Sequence, residues 1–232
     1  MLEIIKNNLL KLKKLLFHDI KHAWFATYYL VVFWQFNLIE KHNANTKTMI
    51  SFKPIDNLIP FISFFVVFYL IWFVYVGVTV TTLVFTDKYD FYKLLFNIYI
   101  GMSICFIFFL VYPHGQDLRA HLTAHETNIF DRMVYTVYSC DNPADTAPSI
   151  HVLNSIAVTM AITRSEFFRK RYGFIIAAQI LNVLIIVSTL FIKQHSIIDV
   201  ILAIGLSIIM QFFIYKINWN KFFIKSRQKI RI

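Results

Sequence analysis

Long apolar stretches separated by short polar connections dominate the chain. Residues 172–192 form a run of 21 residues without Asp, Glu, Lys or Arg. A helix needs about 20 apolar residues to cross a hydrocarbon core about 30 Å thick. Six stretches fit this pattern and predict an all-α, six-helix transmembrane bundle: 24–39, 58–85, 94–112, 149–163, 172–192 and 197–215.

The predicted membrane domain, residues 24–215, lies between two basic segments. In residues 1–23, apolar side chains recur at helical spacing with lysines between them, which is typical of an amphipathic helix on a membrane surface. A plain cytoplasmic extension of the first span is the alternative interpretation. Residues 216–232 form a second basic segment, interpreted as a cytoplasmic tail.

Composition excludes a soluble protein. The chain is 58% hydrophobic and only 16% charged, whereas soluble chains average roughly a quarter charged residues. The net charge of +10 fits cytoplasmic Lys and Arg beside anionic lipid, and no basic patch resembles a nucleic-acid surface. Two cysteines, Cys105 and Cys140, are interpreted as free thiols. The membrane is therefore the expected partner, and nucleic acid is not.

The distribution of Lys and Arg predicts the orientation. With a cytoplasmic N-terminus, the cytoplasmic segments hold 17 of these residues and the opposite side holds 6. Cytoplasmic loops carry the excess of positive charge. We therefore expect a multi-pass cell-membrane protein with both termini inside, and with the loop 113–148 and the turn 193–196 outside.

Polar residues at membrane depth lie at the start of two spans. Ser149 and His151 open the fourth span, and His195 and Asp199 open the sixth. Both spans begin on the predicted outer side, so the two histidines should lie at similar depth. The i,i+4 spacing of His195 and Asp199 puts them on one helix face, where Asp199 can accept one imidazole N–H and leave the other nitrogen free to attack an electrophile.

These groups together suggest phosphoryl transfer. His151 could protonate a leaving alkoxide, and the N-termini of both helices could hold an anion. Arg119 and Lys193 are candidate cations for a phosphate, so a metal is not obligatory. The alternative interpretation is that these residues cap helices and lie at the membrane interface without taking part in catalysis.

A metal site in the loop is a weaker hypothesis. His121 and His125 are spaced i,i+4 with Glu126 beside them, but spacing supplies no third ligand. A solvated loop is the preferred interpretation, and the sequence predicts neither a metal nor a cofactor.

The order of the polar motifs resembles a known signature. Arg119, then Pro-Ser-Ile-His at 148–151, then Ser188 with His195 and Asp199, resembles the three-part signature of the type-2 phosphatidic acid phosphatase superfamily. More narrowly, the second and third motifs look like its bacterial branch related to inositol-phosphorylceramide and sphingomyelin synthases. The resemblance implies a six-helix membrane enzyme.

The resemblance also implies residue roles. His195 would form a phosphohistidine, Asp199 would orient it and His151 would be the general acid. Arg119, Ser149 and Ser188 would contact the phosphate, and Lys193 would supply an additional cation. The sequence departs from the family where Tyr112 and Thr189 replace cations and where Ala120 replaces a proline.

The leading expectation is a lipid phosphatase that hydrolyses a lipid phosphate or pyrophosphate at the outer face. The first alternative is a phosphotransferase that moves a phosphoryl headgroup to a lipid alcohol through the same intermediate. The second is a degenerate, non-catalytic membrane protein, because two expected cations are absent. The sequence makes no prediction of the oligomeric state.

Overall fold

The fold was determined as a computed structural model that describes residues 20–216. Within that range every regular element is helical, and only isolated bridges join Gly115 to Met49 and to Ala144. The all-α prediction is confirmed. Most of the predicted amphipathic segment and nearly all of the predicted basic tail lie outside the described residues.

Nine α-helices form the described part of the chain, and 3₁₀ turns lead into two of them. In order, they are the 3₁₀ turn Lys21–Thr27, α1 (Tyr28–Asn43), α2 (Lys53–Asp56), the 3₁₀ turn Ser63–Phe65, α3 (Val66–Thr86), α4 (Lys88–Val111), α5 (Ile129–Cys140), α6 (Ile150–Arg164), α7 (Glu166–Arg169), α8 (Tyr172–Phe191) and α9 (Ile197–Lys216).

Within residues 20–216, four helical segments are long and apolar enough to cross a membrane: Ser63–Thr86, Lys88–Val111, Tyr172–Phe191 and Ile197–Lys216. Large apolar side chains remain exposed along them, such as Phe73, Ile180 and Phe212, each more than half exposed. Exposing such apolar surfaces to water is unfavourable in free energy, whereas exposing them to lipid is not. These helices indicate a membrane protein.

Local chemistry explains why two of these helices begin away from the predicted positions. The chain before α3 contains Pro60 and an extended Ile62, so the helix begins later than residue 58. The chain before α4 contains Asp87, whose carboxylate accepts the N–H groups of Tyr89 and Asp90. This cap allows α4 to begin before the apolar stretch does.

The other two predicted spans are helical but shorter: α1 has 16 residues and α6 has 15. Helix α6 is the centre of the bundle, because it contacts α3, α4, α8 and α9. Most of its side chains are buried, including polar ones. Its position inside the protein explains why it lacks a continuous lipid-facing surface.

Hydrogen bonds and small residues hold α6 among its neighbours. The Tyr75 hydroxyl lies 2.8 Å from Thr159 Oγ1, which joins α3 to α6. Ser155 Oγ donates to Asn182 Oδ1 at 2.6 Å, which joins α6 to α8. Such contacts, together with close approach at small residues, are what associates helices in lipid. Gly101 of α4 supplies one such close approach.

We expect Gly101→Val to destabilise the bundle. A Cβ atom at Gly101 would lie 2.9 Å from Leu153 Cδ2 of α6, and Leu153 is fully buried. Overpacking of this kind costs roughly 1–3 kcal/mol. Thermal unfolding in detergent should show a lowered midpoint. Gly77→Val is the matched control, because a Cβ there would meet no heavy atom within 4 Å. Equal midpoints for the two variants would contradict this packing.

Candidate active site

The first turn of α9 brings His195 and Asp199 together. His195 Nδ1 lies 3.2 Å from Asp199 Oδ2, as the i,i+4 spacing predicts. Asp199 is fully buried, and His195 is 8% exposed. The carboxylate favours the tautomer that carries its proton on Nδ1, which leaves Nε2 with a lone pair. Among the hydrogen bonds of residues 20–216, His195 takes part through Nδ1 and through its backbone N–H, and none involves Nε2.

His151 lies beside this pair at the start of α6. The centroids of the His151 and His195 rings are 6.0 Å apart. His151 also packs against two aromatic rings of α3, with centroid distances of 4.4 Å to Tyr69 and 4.5 Å to Trp72. Its Nε2 is buried and has no hydrogen-bond partner in the described chain. The fold thus brings together two imidazoles that are far apart in sequence.

Ser149 connects the two histidine-bearing helices. Its backbone N–H donates to the carbonyl oxygen of Asp199 at 3.2 Å, and its hydroxyl accepts the N–H of Val152 at 3.4 Å. Ser149 is fully buried. The hydroxyl predicted to contact phosphate therefore caps α6, and the backbone of Ser149 sets the spacing between α6 and α9.

The first three N–H groups at the N-terminus of α9 are taken up by side chains of the protein, so they are not presented to an anion in the way that the sequence suggested. Ser196 N donates to Asp199 Oδ2 at 3.0 Å, and Ile197 N donates to Asp56 Oδ1 at 2.8 Å. Ile198 N lies 3.3 Å from Ser196 Oγ. At α6, Ser149 accepts the N–H of Val152 with its hydroxyl and that of Leu153 with its carbonyl oxygen. Among the hydrogen bonds found within residues 20–216, none uses the two preceding N–H groups, those of Ile150 and His151.

Arg119 lies against the end of α5. Its Nη1 donates to the carbonyl oxygens of Tyr138 at 3.1 Å and Asp141 at 2.8 Å. Its Nε and Nη2 atoms are buried and unpaired within the described residues. Burial lowers the pKa of Arg119, and the nearby Asp141 carboxylate opposes that effect. The guanidinium is close enough to Tyr69, the ring stacked on His151, to act on it electrostatically.

Two other predicted phosphate ligands have partners away from the histidines. Lys193 Nζ donates to the carbonyl oxygens of Asp56 and Ile59, both at 2.6 Å. Ser188 is fully buried, and its hydroxyl donates to the carbonyl oxygen of Ile185 within its own helix. The structure therefore brings His151, His195 and Asp199 together, whereas Lys193 and Ser188 support the turn between α8 and α9.

Sequence reasoning missed several residues of the site. Asp56 contacts the turn between α8 and α9, and Gln194 within that turn donates to Asp141. Tyr69 and Trp72 pack on His151. Asp56 and Ser196 are 140 positions apart, so no spacing rule links them. The sequence marks Asp56 only as the acidic residue of the segment Lys-Pro-Ile-Asp, which belongs to none of the motifs.

The connection between α4 and α6 is ordered by buried polar groups. His114 is fully buried; its Nδ1 lies 2.7 Å from the Tyr112 carbonyl oxygen, and its Nε2 accepts the N–H of Ala147 at 2.8 Å. Gly115 leaves no room for a side chain, because a Cβ would lie 2.7 Å from the Pro143 carbonyl oxygen. These contacts fix the chain that leads into His151.

The weaker hypothesis of a metal site at His121 and His125 gains no third ligand among the described residues. His121 and His125 are exposed, and Glu126 accepts hydrogen bonds from Thr123. Among residues 20–216, no group of three His, Cys, Asp or Glu side chains is arranged to hold a metal ion.

The carboxylates of Asp141 and Glu40 link this connection to α1 and to the turn between α8 and α9. Asp141 Oδ2 accepts a hydrogen bond from Gln194 Nε2, and Glu40 Oε1 accepts the N–H of Asn142 at 2.8 Å. Burial, and then the neighbouring Glu40 carboxylate, raise the pKa of Asp141 to about 7. Asp141 therefore holds its proton more tightly in the folded protein than in the unfolded chain.

We expect Asp141→Asn to flatten the pH dependence of stability. The folded pKa of about 7 lies above the ordinary value of 3.8, so the contribution of Asp141 is greatest at low pH and is lost as pH rises through 7. Thermal unfolding in detergent should show a falling midpoint between these values for wild type. Asparagine stays neutral and can still accept from Gln194, so its slope should be smaller. Identical slopes would contradict the assignment.

A free imidazole nitrogen, a carboxylate on the other nitrogen and a second imidazole are the groups that nucleophilic catalysis uses. His195 presents a free Nε2, Asp199 can stabilise the positive ring that forms on attack, and His151 lies within reach of the same reacting group. Arg119 offers two unpaired donors nearby. Comparisons of this chain with protein-family models, with curated proteins and with solved structures find no match.

Proposed function

We propose that the protein is a membrane lipid phosphatase that hydrolyses a lipid phosphate or pyrophosphate monoester through a phosphohistidine. The observation that carries this proposal is the grouping of three side chains. His195 Nδ1 lies 3.2 Å from Asp199 Oδ2, and the ring centroids of His195 and His151 are 6.0 Å apart. The resemblance of the same three residues to the type-2 phosphatidic acid phosphatase signature supports it independently of the geometry.

The reaction has two balanced steps. In the first, His195 Nε2 attacks phosphorus, the bond from phosphorus to the lipid oxygen breaks, and His151 donates a proton to the leaving oxygen. Asp199 stabilises the positive charge on the phosphorylated ring. In the second, His151 takes a proton from water, the water oxygen bonds to phosphorus, and the bond to His195 breaks. Inorganic phosphate leaves, and both imidazoles return to their initial states.

Phosphate oxygens have two sources of stabilisation in this proposal. The unpaired Nε and Nη2 of Arg119 can make charge-assisted hydrogen bonds to them. The first N–H groups of α6 add the positive end of a helix dipole. Lys193 is engaged by backbone carbonyls, so it contributes long-range charge in this scheme and not a direct contact.

The membrane topology belongs to the same proposal. We infer six spans, with α1 and α6 added to the four longer helices, and with both chain ends in the cytoplasm. The excess of Lys and Arg on one side supports this orientation. The starts of α6 and α9 then face the outer side, where the substrate lipid would be processed.

A phosphotransferase is the second candidate. The observation that favours it is the shielding of the reacting groups from water: His195 is 8% exposed, and His151 is covered by Tyr69 and Trp72. A phosphohistidine protected from water can survive until a lipid alcohol arrives. In that case the enzyme transfers a phosphoryl headgroup, and phosphate release is slow.

The deciding experiment is a release assay on purified protein in detergent. A panel of phosphatidic acid, phosphatidylglycerol phosphate and polyprenyl pyrophosphate is tested, with and without a lipid alcohol. Phosphate release supports hydrolysis, and a new phosphorylated lipid that depends on the alcohol supports transfer. Neither product from any panel member would favour the non-catalytic alternative.

Cys140 provides a test of the orientation with the native chain. Cys140 is exposed and Cys105 is buried, so a membrane-impermeant maleimide should label intact cells at Cys140. Cys140→Ala should abolish labelling. In that background, Tyr172→Cys should react only after permeabilisation, because Tyr172 is 75% exposed and lies on the proposed cytoplasmic side. The reverse labelling pattern would overturn the orientation.

Substitution of each histidine should produce a different defect. His195→Ala removes the nucleophile, so it should abolish turnover and leave no acid-labile phosphoenzyme. His151→Ala should lose far more rate on a lipid substrate than on nitrophenyl phosphate, because a nitrophenolate leaves without protonation. Asp199→Asn should fall between, with a loss of up to ~10⁴-fold from the wrong tautomer.

Rates and acid-quenched phosphoenzyme are measured for wild type and the three variants. Equal losses on both substrates for His151→Ala would mean that His151 positions phosphate and is not the acid. Full activity of His195→Ala would refute the mechanism.

A further inference from the structure

A carboxylate outside the predicted motifs holds the turn that carries His195. Asp56 ends the short helix α2 and is 1% exposed. Its Oδ2 accepts a hydrogen bond from Ser196 Oγ at 2.6 Å, and its Oδ1 accepts the N–H of Ile197 at 2.8 Å. Both oxygens of a buried side chain are thus committed to the two residues that follow His195.

The backbone of the same segment holds the residue that lies two positions before the histidine. Lys193 Nζ donates to the carbonyl oxygens of Asp56 and Ile59, both at 2.6 Å. Phe52 N donates to Asp56 Oδ2 at 2.7 Å and fixes the carboxylate within its own segment. His195 therefore lies between two anchors that both lead to residues 52–59.

Asp56 acts as an N-terminal cap supplied from elsewhere in the chain. The first N–H groups of a helix lack partners within the helix, and a negative charge near them is stabilising. Asp199 satisfies one of these donors and also contacts the His195 ring. Asp56 takes the next donor and the Ser196 hydroxyl, so the two carboxylates together satisfy the start of α9 while Asp199 Oδ2 also contacts the imidazole.

From these contacts we infer that Asp56 is a positioning residue for the phosphorylated histidine: its carboxylate clamps the turn 193–197 and so sets the direction of His195 Nε2 relative to His151. The inference rests on the proposed phosphatase or transferase function. Asp56 does not contact the reacting phosphorus in this assignment and takes no proton from it. A displacement of about 1 Å at a reacting group costs about 10²-fold in rate.

The test combines Asp56→Asn with a readout of the turn and a readout of the chemistry. Asparagine has the same shape, but its Nδ2 cannot accept a hydrogen bond, so either the N–H of Ile197 or the N–H of Phe52 loses its acceptor. The Ser196 hydroxyl would have to reverse its bond or change partner. Hydrogen exchange of the peptide that contains residues 193–199 should become faster. Phosphoenzyme formation and kcat should fall by about 10–100-fold with little change in KM. The loss should be equal on lipid and nitrophenyl substrates, because the nucleophile and not the leaving group is affected.

Three further variants complete the design. Asp56→Glu keeps the charge and should recover part of the rate. Ser196→Ala removes one of the two contacts and should give a smaller loss than Asp56→Asn. Asp117→Asn is the matched control, since Asp117 is an exposed carboxylate that contacts the same short helix through Lys53 at 2.6 Å. It should change neither exchange nor rate.

The outcomes separate this inference from the proposed function. Unchanged exchange at residues 193–199 in Asp56→Asn would overturn the clamp, whatever the activity. Faster exchange with an unchanged rate would overturn the positioning role and leave only a structural one. A larger loss on the lipid than on the nitrophenyl substrate would assign Asp56 to the leaving group instead. Wild-type protein without activity on any substrate would overturn the proposed function, while the exchange result would still decide whether Asp56 holds the turn.

Discussion

The N–H groups at the start of α9 have no acceptor within the helix, and this is the constraint on which the site depends. They lie inside the protein, where water cannot satisfy them, so side chains must. Asp199 and Asp56 each accept one of these donors. The same two carboxylates orient the imidazole of His195 and hold the turn that carries it. One set of hydrogen bonds therefore both satisfies the backbone N–H groups at the start of α9 and orients His195.

The central position of α6 converts this local arrangement into a two-histidine site. Because α6 packs against α3, α4, α8 and α9, its first turn has little freedom to move. Ser149 joins that turn to the backbone of Asp199, and the rings of Tyr69 and Trp72 fix the plane of His151. The 6.0 Å between the imidazole centroids follows from helix packing.

Charge near the histidines is unusual for a site proposed to bind phosphate. Asp56 and Asp199 occupy the end of α9 that the sequence suggested for an anion. The ammonium group of Lys193 is bound by two backbone carbonyl oxygens. The unpaired donors of Arg119 and the first turn of α6 are left to balance a bound phosphate. The proposed reaction thus depends on few positive groups.

The sequence by itself determined the helical class, the four long apolar helices and the pairing of His195 with Asp199. Each of these depends on residues that are close in the chain: apolar length sets a membrane helix, and i,i+4 spacing sets a contact within one turn. Only the tertiary structure decided that His151 meets His195, that Asp56 caps α9 and that Lys193 binds backbone carbonyls. These contacts join segments far apart in sequence, and their partners are selected by how the helices pack, which periodicity and composition do not specify.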